Sequence, residues 1–246
     1  MSRKIVLSGA VLLALSGGVA SATQAGEVKL SCEASLSIAA DGKVAALAFV
    51  DKDATDHLVC KRLEPLVRSW TFEPGSVNDQ PMATETTLYV ELGASKRADG
   101  NYAVKLLGAR TGPSSLHLIP PDYPRREMID GAEAKVTLLV SIDASGVPND
   151  ISAESVITNG SSASKATFAR ESIAAAKHWR FKPETVGGHA VASHVHIPIT
   201  FCLDGPNRCP NIAKQVAAAG DATPANTPIA LDSKVKLVTQ VAGTTF

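Results

Sequence analysis

An α+β fold built as two tandem units is predicted for this 246-residue chain, and three observations predict it. The first is an internal repeat. Residues 70–92 and 179–201 align without a gap, so that Trp70, Phe72, Pro74 and Val77 fall on Trp179, Phe181, Pro183 and Val186. Those two tryptophans are the only ones in the chain, which makes chance a poor explanation, and a repeat sets the domain count before any fold is assigned. The second observation is a pair of segments with apolar residues at every other position, each followed by a glycine turn. The third is a stretch with helical spacing between each such hairpin and its Trp-x-Phe-x-Pro run.

The elements follow in order. In residues 28–38, Val28, Leu30, Cys32, Ala34, Leu36 and Ile38 alternate with Lys29, Ser31, Glu33, Ser35 and Ser37. Period two over that length describes a strand with one buried face. Asp41-Gly42 turns the chain and Val44–Val50 returns. Thr55 is placed to cap a helix running to about Trp70, with Val59, Cys60, Leu63, Val67 and Trp70 on one face. Pro65 is expected to kink or break that helix. Residues 71–82 read as a loop, Thr84–Leu92 as a third strand, and Tyr102–Leu107 as a further strand beside it. Thr111-Gly112-Pro113-Ser114-Ser115 reads as the boundary between units. The second unit repeats the order: residues 135–143, a turn at Ser145-Gly146, Val147–Val156, a helix over Lys165–Trp179, and a final strand Ala192–Phe201. The units span 27–110 and 116–203. Beyond Leu203 the periodicity is lost, and 204–246 reads as a loop and low-complexity tail, with a short strand possible in 233–241.

The front end points to export. Arg3 and Lys4 precede an apolar stretch, Ile5–Leu15, and Ala20-Ser21-Ala22 offers a signal-peptidase site, so residues 1–22 read as a secretory signal. The apolar stretch is short against the roughly 20 residues a bilayer span requires. Periplasmic location is the expectation, with inner-membrane anchoring through residues 5–22 as the alternative. No other segment could span a membrane. Lys plus Arg and Asp plus Glu are equal at 24 each, so there is no basic field for nucleic acid or anionic lipid. Membrane contact would come only through partners or an uncleaved signal.

In an exported chain four cysteines are disulfide candidates, with three possible pairings. Cys32 lies on the apolar face of the first strand and Cys60 on the helix that should cover it. Cys202 and Cys209 enclose a Gly-Pro-Asn turn. Cys32–Cys60 with Cys202–Cys209 is the favoured set.

Trp70, Phe72, Trp179 and Phe181 are expected to anchor the two cores, since Trp and Phe two apart on an extended segment point the same way. The candidate partner-binding edge is the last strand: His194, Val195, His196, Ile197, Pro198, Ile199 and Thr200. Strand addition needs a sheet edge with free main-chain groups. Pro198 has no N–H to donate and belongs on an edge or a bulge. It marks either a binding edge or an edge blunted against aggregation. His189, His194 and His196 raise a zinc reading, but no carboxylate or cysteine is placed to complete a ligand set, so neither metal nor cofactor is expected. No Gly-x-Ser-x-Gly elbow, HExxH, phosphate loop or dinucleotide fingerprint is present, so no catalytic residues and no enzyme activity are expected.

The second unit resembles the C-terminal domain of TonB-family energy transducers over about residues 118–203. The resemblance rests on Pro121-Asp122-Tyr123-Pro124, Gly131, Gly146-Val147, Trp179-Arg180-Phe181-Lys182-Pro183 and Ile197-Pro198-Ile199, in that order. The first unit keeps Trp70-x-Phe72-x-Pro74 and the element order, lacks the Tyr-Pro element and has Tyr89 where the second has Pro198, so it reads as a degenerate copy. The resemblance implies a small antiparallel sheet with helix packed on one face, working in the periplasm. It implies protein partners in the cell envelope: an extended segment of a TonB-dependent receptor or of the transducer complex, taken by strand addition in support of transport. The alternative is a free-standing periplasmic binding or assembly module with no energy transduction.

Overall fold

Apolar alternation becomes two antiparallel sheets, each with its own core. The computed structural model describes residues 28–50, 59–97, 99–205, 208–219 and 227–245; the expected signal segment and the Thr55 cap lie outside them. In the first sheet, β1 (Val28–Ile38) pairs on one side with β2 (Val44–Phe49) and on the other with the long strand β6 (Thr84–Lys96). β6 is flanked in turn by β7 (Tyr102–Gly112). In the second sheet the order is β10 (Pro148–Thr158), β9 (Ala134–Ile142), β14 (Ser193–Phe201) and β15 (Ile229–Ala230). With the helices found among the described residues, the fold is α+β.

The alternating faces bury as their period requires. Cys32, Ala34, Leu36 and Ile38 of β1 meet Leu88, Val90 and Leu92 of β6 in the first core, under Cys60, Leu63 and Val67. Val136, Leu138, Val140 and Ile142 of β9 meet Val195, Ile197, Ile199 and Phe201 of β14 in the second. Both disulfides are present, Cys32–Cys60 and Cys202–Cys209.

Pro65 acts as expected of a residue that cannot donate inside a helix. Residues 59–62 are helical, Leu63 is a turn, and a second short helix, α1 (Glu64–Arg68), starts with the proline in its first turn. Helix α2 (Arg125–Ile129) leads into the second sheet. Helix α3 (Ser162–Ala176) begins earlier and ends earlier than the expected 165–179. Ser161 caps it, with Ser164 completing a reciprocal capping box. It stops before Trp179 because the chain must turn extended to reach the sheet, as β11 (Arg180–Lys182) paired with β8 (Ser114–His117).

The Trp-x-Phe runs dock in the same way in both halves. Phe72 N–H donates to Gly42 O at 2.9 Å, and Phe181 N–H donates to Gly146 O at 3.0 Å. Both glycines sit at positive φ, +83° and +82°, and a Cβ there would lie 2.3 Å from Phe72 O or 2.0 Å from Phe181 O. Each hairpin turn is thus glycine for two reasons, its backbone conformation and the close approach of the aromatic strand.

Residues 71–82 are more ordered than a loop. β3 (Phe72–Glu73) is followed by a tight hairpin of β4 (Ser76–Val77) and β5 (Gln80–Pro81). Its central residues, Asn78 and Asp79, have φ of 51° and 64°. At the aligned positions β12 (Thr185–Val186) and β13 (His189–Ala190) form a hairpin around Gly187 and Gly188, at φ 59° and 82°. Positive φ at both central residues is the type I′ geometry that matches strand twist. The hairpins close alike: Met82 N–H donates to Gly75 O at 2.8 Å and Val191 N–H to Glu184 O at 2.9 Å. The aligned valines differ, however. Val77 is exposed, whereas Val186 is buried where the second hairpin pairs with Thr84 and Glu85 of β6.

Between residues 111 and 115 the chain passes from β7, which ends at Gly112 beside β6, to β8, which starts at Ser114 beside β11, with Thr111 and Ser114 buried. One expectation needs correction: the tail is folded over its described residues. It forms α4 (Ala213–Ala218), β15 and β16 (Lys236–Leu237), and β16 pairs with β3. Val235 and Val241 enter the first core. Thr71 N–H donates to Thr239 Oγ1 across 168 residues of sequence, a separation no local pattern can signal.

Candidate functional site

β14 pairs with β9 along its whole length, from Ser193↔Ile142 to Phe201↔Ala134. Its outer side is where the candidate residues lie. His194 O accepts from Leu231 N–H at 2.9 Å, and His194 N–H donates to Asp232 Oδ1 at 2.8 Å, so the main-chain groups of His194 face outward. Strand alternation gives the same direction to His196, Pro198 and Thr200. The missing N–H of Pro198 therefore falls on the outer side, where no bond to β9 is lost. Val195, Ile197 and Ile199 face inward and are buried, and Pro198 is buried as well.

The edge already carries a strand. β15 lies antiparallel to it, with Val195 opposite Ala230 and His196 opposite Ile229. The His194 ring closes the contact through Nδ1, 3.0 Å from Asp232 Oδ2. Burial alone would raise the Asp232 pKa. The hydrogen bonds from the His194 ring and main chain, with the charge of Lys234, outweigh that and hold it below the ordinary carboxylate range. His196 turns the other way and pairs Nε2 with Glu154 Oε2 at 2.7 Å. Beside it runs a groove of about 430 Å³ lined by Thr137, Glu154, Ile157, His196, Pro198 and Ile229. The two histidines thus serve different carboxylates, and His189 sits on β13 in the other sheet. Among the described residues no three His, Cys, Asp or Glu side chains gather as a metal set would.

The aligned edge in the first sheet is closed differently. β7 covers β6 from Thr87 to Lys96, and β12 covers Thr84 and Glu85. Tyr89, aligned with Pro198, is buried there, with its hydroxyl donating to Pro113 O at 3.0 Å and Arg110 above its ring. Burial, and secondarily Glu33, push that hydroxyl far above the usual tyrosine range. A long adjacent strand thus fills the first edge, and a two-residue strand from the tail covers part of the second.

Trp70, Phe72, Trp179 and Phe181 are 3%, 2%, 1% and 1% exposed, so all four are inside their cores. Trp179 Nε1–H donates to Ile119 O at 2.8 Å, tying the start of the second unit to its core. Tyr123 of the Tyr-Pro element stands edge-on to Phe168 and Phe201 and donates to Ala132 O. Burial, then Glu133 and Glu127, push its hydroxyl to about 12.

Sequence reading missed two carboxylates with no exposed surface. Glu184, fully buried, accepts from Thr86 Oγ1 at 2.6 Å, Ser233 Oγ at 2.8 Å and Lys234 N–H at 2.9 Å, joining both sheets and the tail. Glu133, also fully buried, accepts from Leu203 N–H and Asn211 N–H around the second disulfide. A glutamate in a turn segment reads as solvated; the only hint was that Glu184 stands where the aligned position of the first Trp-x-Phe-x-Pro stretch has Gly75.

Sheet, capped helix, docked Trp-x-Phe strand and proline-bearing edge define a small α+β domain. Residues 119–203 match the family model described as Gram-negative bacterial TonB protein C-terminal, and this segment is a TonB-family C-terminal domain. The chain is 32% identical over 98 residues to Protein TonB of Xanthomonas campestris pv. campestris, covering 40% of this chain and 41% of that protein. It is 33% identical over 87 residues to Protein TonB of Vibrio cholerae, covering 35% and 33% respectively. The match thus spans well under half of these relatives. It is also similar to the solution NMR structure of the Pseudomonas aeruginosa TonB C-terminal domain, at 28% identity, covering 39% of this chain and 90% of that one, with a TM-score of 0.32. No described helix is long and apolar enough to cross a membrane.

Proposed function

We propose that this chain is a non-enzymatic, TonB-like protein of the periplasm that takes extended segments of outer-membrane receptors or transducer-complex partners onto the outer edge of β14, in support of TonB-dependent transport. The observation that carries the reading is that this edge, in the segment matched to the TonB C-terminal family, already accommodates an added antiparallel strand. Main-chain hydrogen bonds supply affinity in such additions, and side chains at alternate positions supply selectivity. The groove beside His196 and Pro198 is where one alternate side chain would rest.

The two sheets are read as tandem copies of one unit. Support comes from the shared glycine-to-phenylalanine docking, the aligned type I′ hairpins, and the start of β6 and β14 at aligned residues, Thr84 and Ser193. In the first copy the corresponding edge is filled, which leaves recognition to the second.

The test is photo-crosslinking in cells from a benzoylphenylalanine placed at His194 or His196, with Ala46 of β2 as control. Capture of an outer-membrane receptor or transducer component from β14 alone supports the proposal. Equal capture from Ala46, or none from β14, overturns it. One observation favours the free-standing module: the described residues between 28 and 112 form a sheet, and its β6 pairs with β12 of the family-matched segment, rather than an extended spacer. N-terminal sequencing of fractionated protein discriminates, because a free module is recovered soluble without Met1 and an anchored one in membranes with it.

A further inference from the structure

The strand that occupies the β14 edge also records what the edge selects. We propose that the β14 edge recognises an extended partner segment of the pattern apolar–small–any–acidic, laid antiparallel, and that residues 229–232 are the chain's internal stand-in for it. This rests on the strand-addition reading above.

Each position of the pattern has a physical cause. Ile229 sits opposite His196 and forms part of the groove wall beside Pro198, so the first position is apolar. Ala230 packs on the second core and against Gly112, where even a Cβ added to the glycine would come within 2.7 Å of the Ala230 Cβ. That close approach leaves room only for a small residue at the second position. Leu231 projects outward at 50% exposure, so its side chain is unselected, while its N–H donates to His194 O. Asp232 accepts from His194 N–H and faces the ring Nδ1, which selects an acid at the fourth position.

The stand-in is built to be exchanged. Its ladder is two residues long, against the eleven residues of β7 on the first edge. On its C-terminal side Glu184 holds Ser233 and Lys234, and Val235 is buried in the first core. Release of 229–232 therefore leaves those anchors in place. A partner with the same pattern would remake each bond that the tail gives up, so the tail acts as a local competitor whose effective concentration sets the threshold for binding.

The test uses the full chain carrying Leu231→Pro and Asp232→Ala, which removes the N–H to His194 and the carboxylate, with Asp232→Ala alone as a milder opening. Near-UV circular dichroism and tryptophan emission report that both cores persist. The probe is a fluorescein-labelled synthetic peptide with the sequence of residues 227–234, followed by polarisation. The opened chain is expected to bind it at least ten-fold more tightly than wild type. Peptides with Asn in place of the aspartate, or Val in place of the alanine, should bind at least five-fold more weakly, and Thr in place of the leucine should change little. Equal binding of all peptides would overturn the pattern while leaving strand addition standing. Equal binding by wild-type and opened chains would overturn the competitor role. Failure of every peptide to bind a folded, opened chain would overturn the edge itself.

Discussion

Replacing Glu184 with alanine should loosen the joint between the sheets and the tail more than either core. The carboxylate is fully buried and accepts three hydrogen bonds, from Thr86, Ser233 and Lys234. Thr86 Oγ1 and Ser233 Oγ have second acceptors, Gly112 O at 3.3 Å and Val235 O at 3.1 Å, so each loses part of its bonding, about 0.5–1 kcal/mol. The Lys234 N–H loses its acceptor beneath the tail, at about 1–3 kcal/mol. Relief of the carboxylate's own desolvation offsets part of the loss. The net is about 2–4 kcal/mol, or a fall of roughly 5–15 °C in melting temperature for a chain of this size. Glu184→Gln keeps one acceptor for Lys234, and both hydroxyls can rotate to accept from its amide, so it should cost only about 1 kcal/mol. The two tryptophans, one in each core, make the assay resolvable: Trp70→Phe leaves Trp179 as sole reporter of the second core, and Trp179→Phe leaves Trp70 for the first. Urea transitions of the two reporters should coincide with Glu184 present. In the alanine variant the Trp70 signal should move to lower urea further than the Trp179 signal, because the tail residues it releases lead into the first core. An alanine variant within about 0.5 kcal/mol of wild type by both reporters would refute the reasoning, since that is the range of an ordinary surface substitution.

Three further outcomes follow from the same geometry. Trp179→Ala empties a site that is 1% exposed and orphans Ile119 O, so chemical denaturation should show a loss of about 3–5 kcal/mol. Gly146→Ala places a Cβ against Phe181 O at a φ of +82°, and should cost about 2–4 kcal/mol, while Gly188→Ala, at the same φ but with open space around it, should cost about 1–2 kcal/mol, measured by thermal unfolding. Because the native Asp232 carboxyl is held below its unfolded value, the native state binds fewer protons in the acid range; its contribution is complete above the ordinary carboxylate pKa of about 3.9 and is lost as the pH falls through the lowered native value. The Leu231 amide resonance should therefore shift toward an open-strand position in that acid window, and Asp232→Asn should abolish the titration.

How much was legible depended on how local the cause is. Val28–Ile38 announces its strand because the period that buries Cys32, Ala34, Leu36 and Ile38 is written in adjacent residues. Pro65 announces the helix break by its own lack of an N–H. The hairpin at Gly187-Gly188 was legible in principle, since paired glycines between short strands mark a type I′ turn, but Asn78-Asp79 hid its counterpart by reaching positive φ without glycine. The candidate edge was readable as a strand with an awkward proline; that Ile229 and Ala230 cover part of it was not, because neither residue alternates in any local pattern.

By itself, then, the amino-acid sequence determined most of the strands and turns, the two buried Trp-x-Phe anchors, and a segment resembling the TonB family. The strands and turns follow from residues within one or two turns of one another. Tertiary structure decided the rest: Glu184 as the joint, the tail threaded from one sheet to the other, and a native strand seated on the outer edge of β14. Those contacts join residues that lie 33 to 163 positions apart at these points, from His196↔Ile229 to Glu73↔Lys236, and only the folded chain brings them within hydrogen-bonding distance.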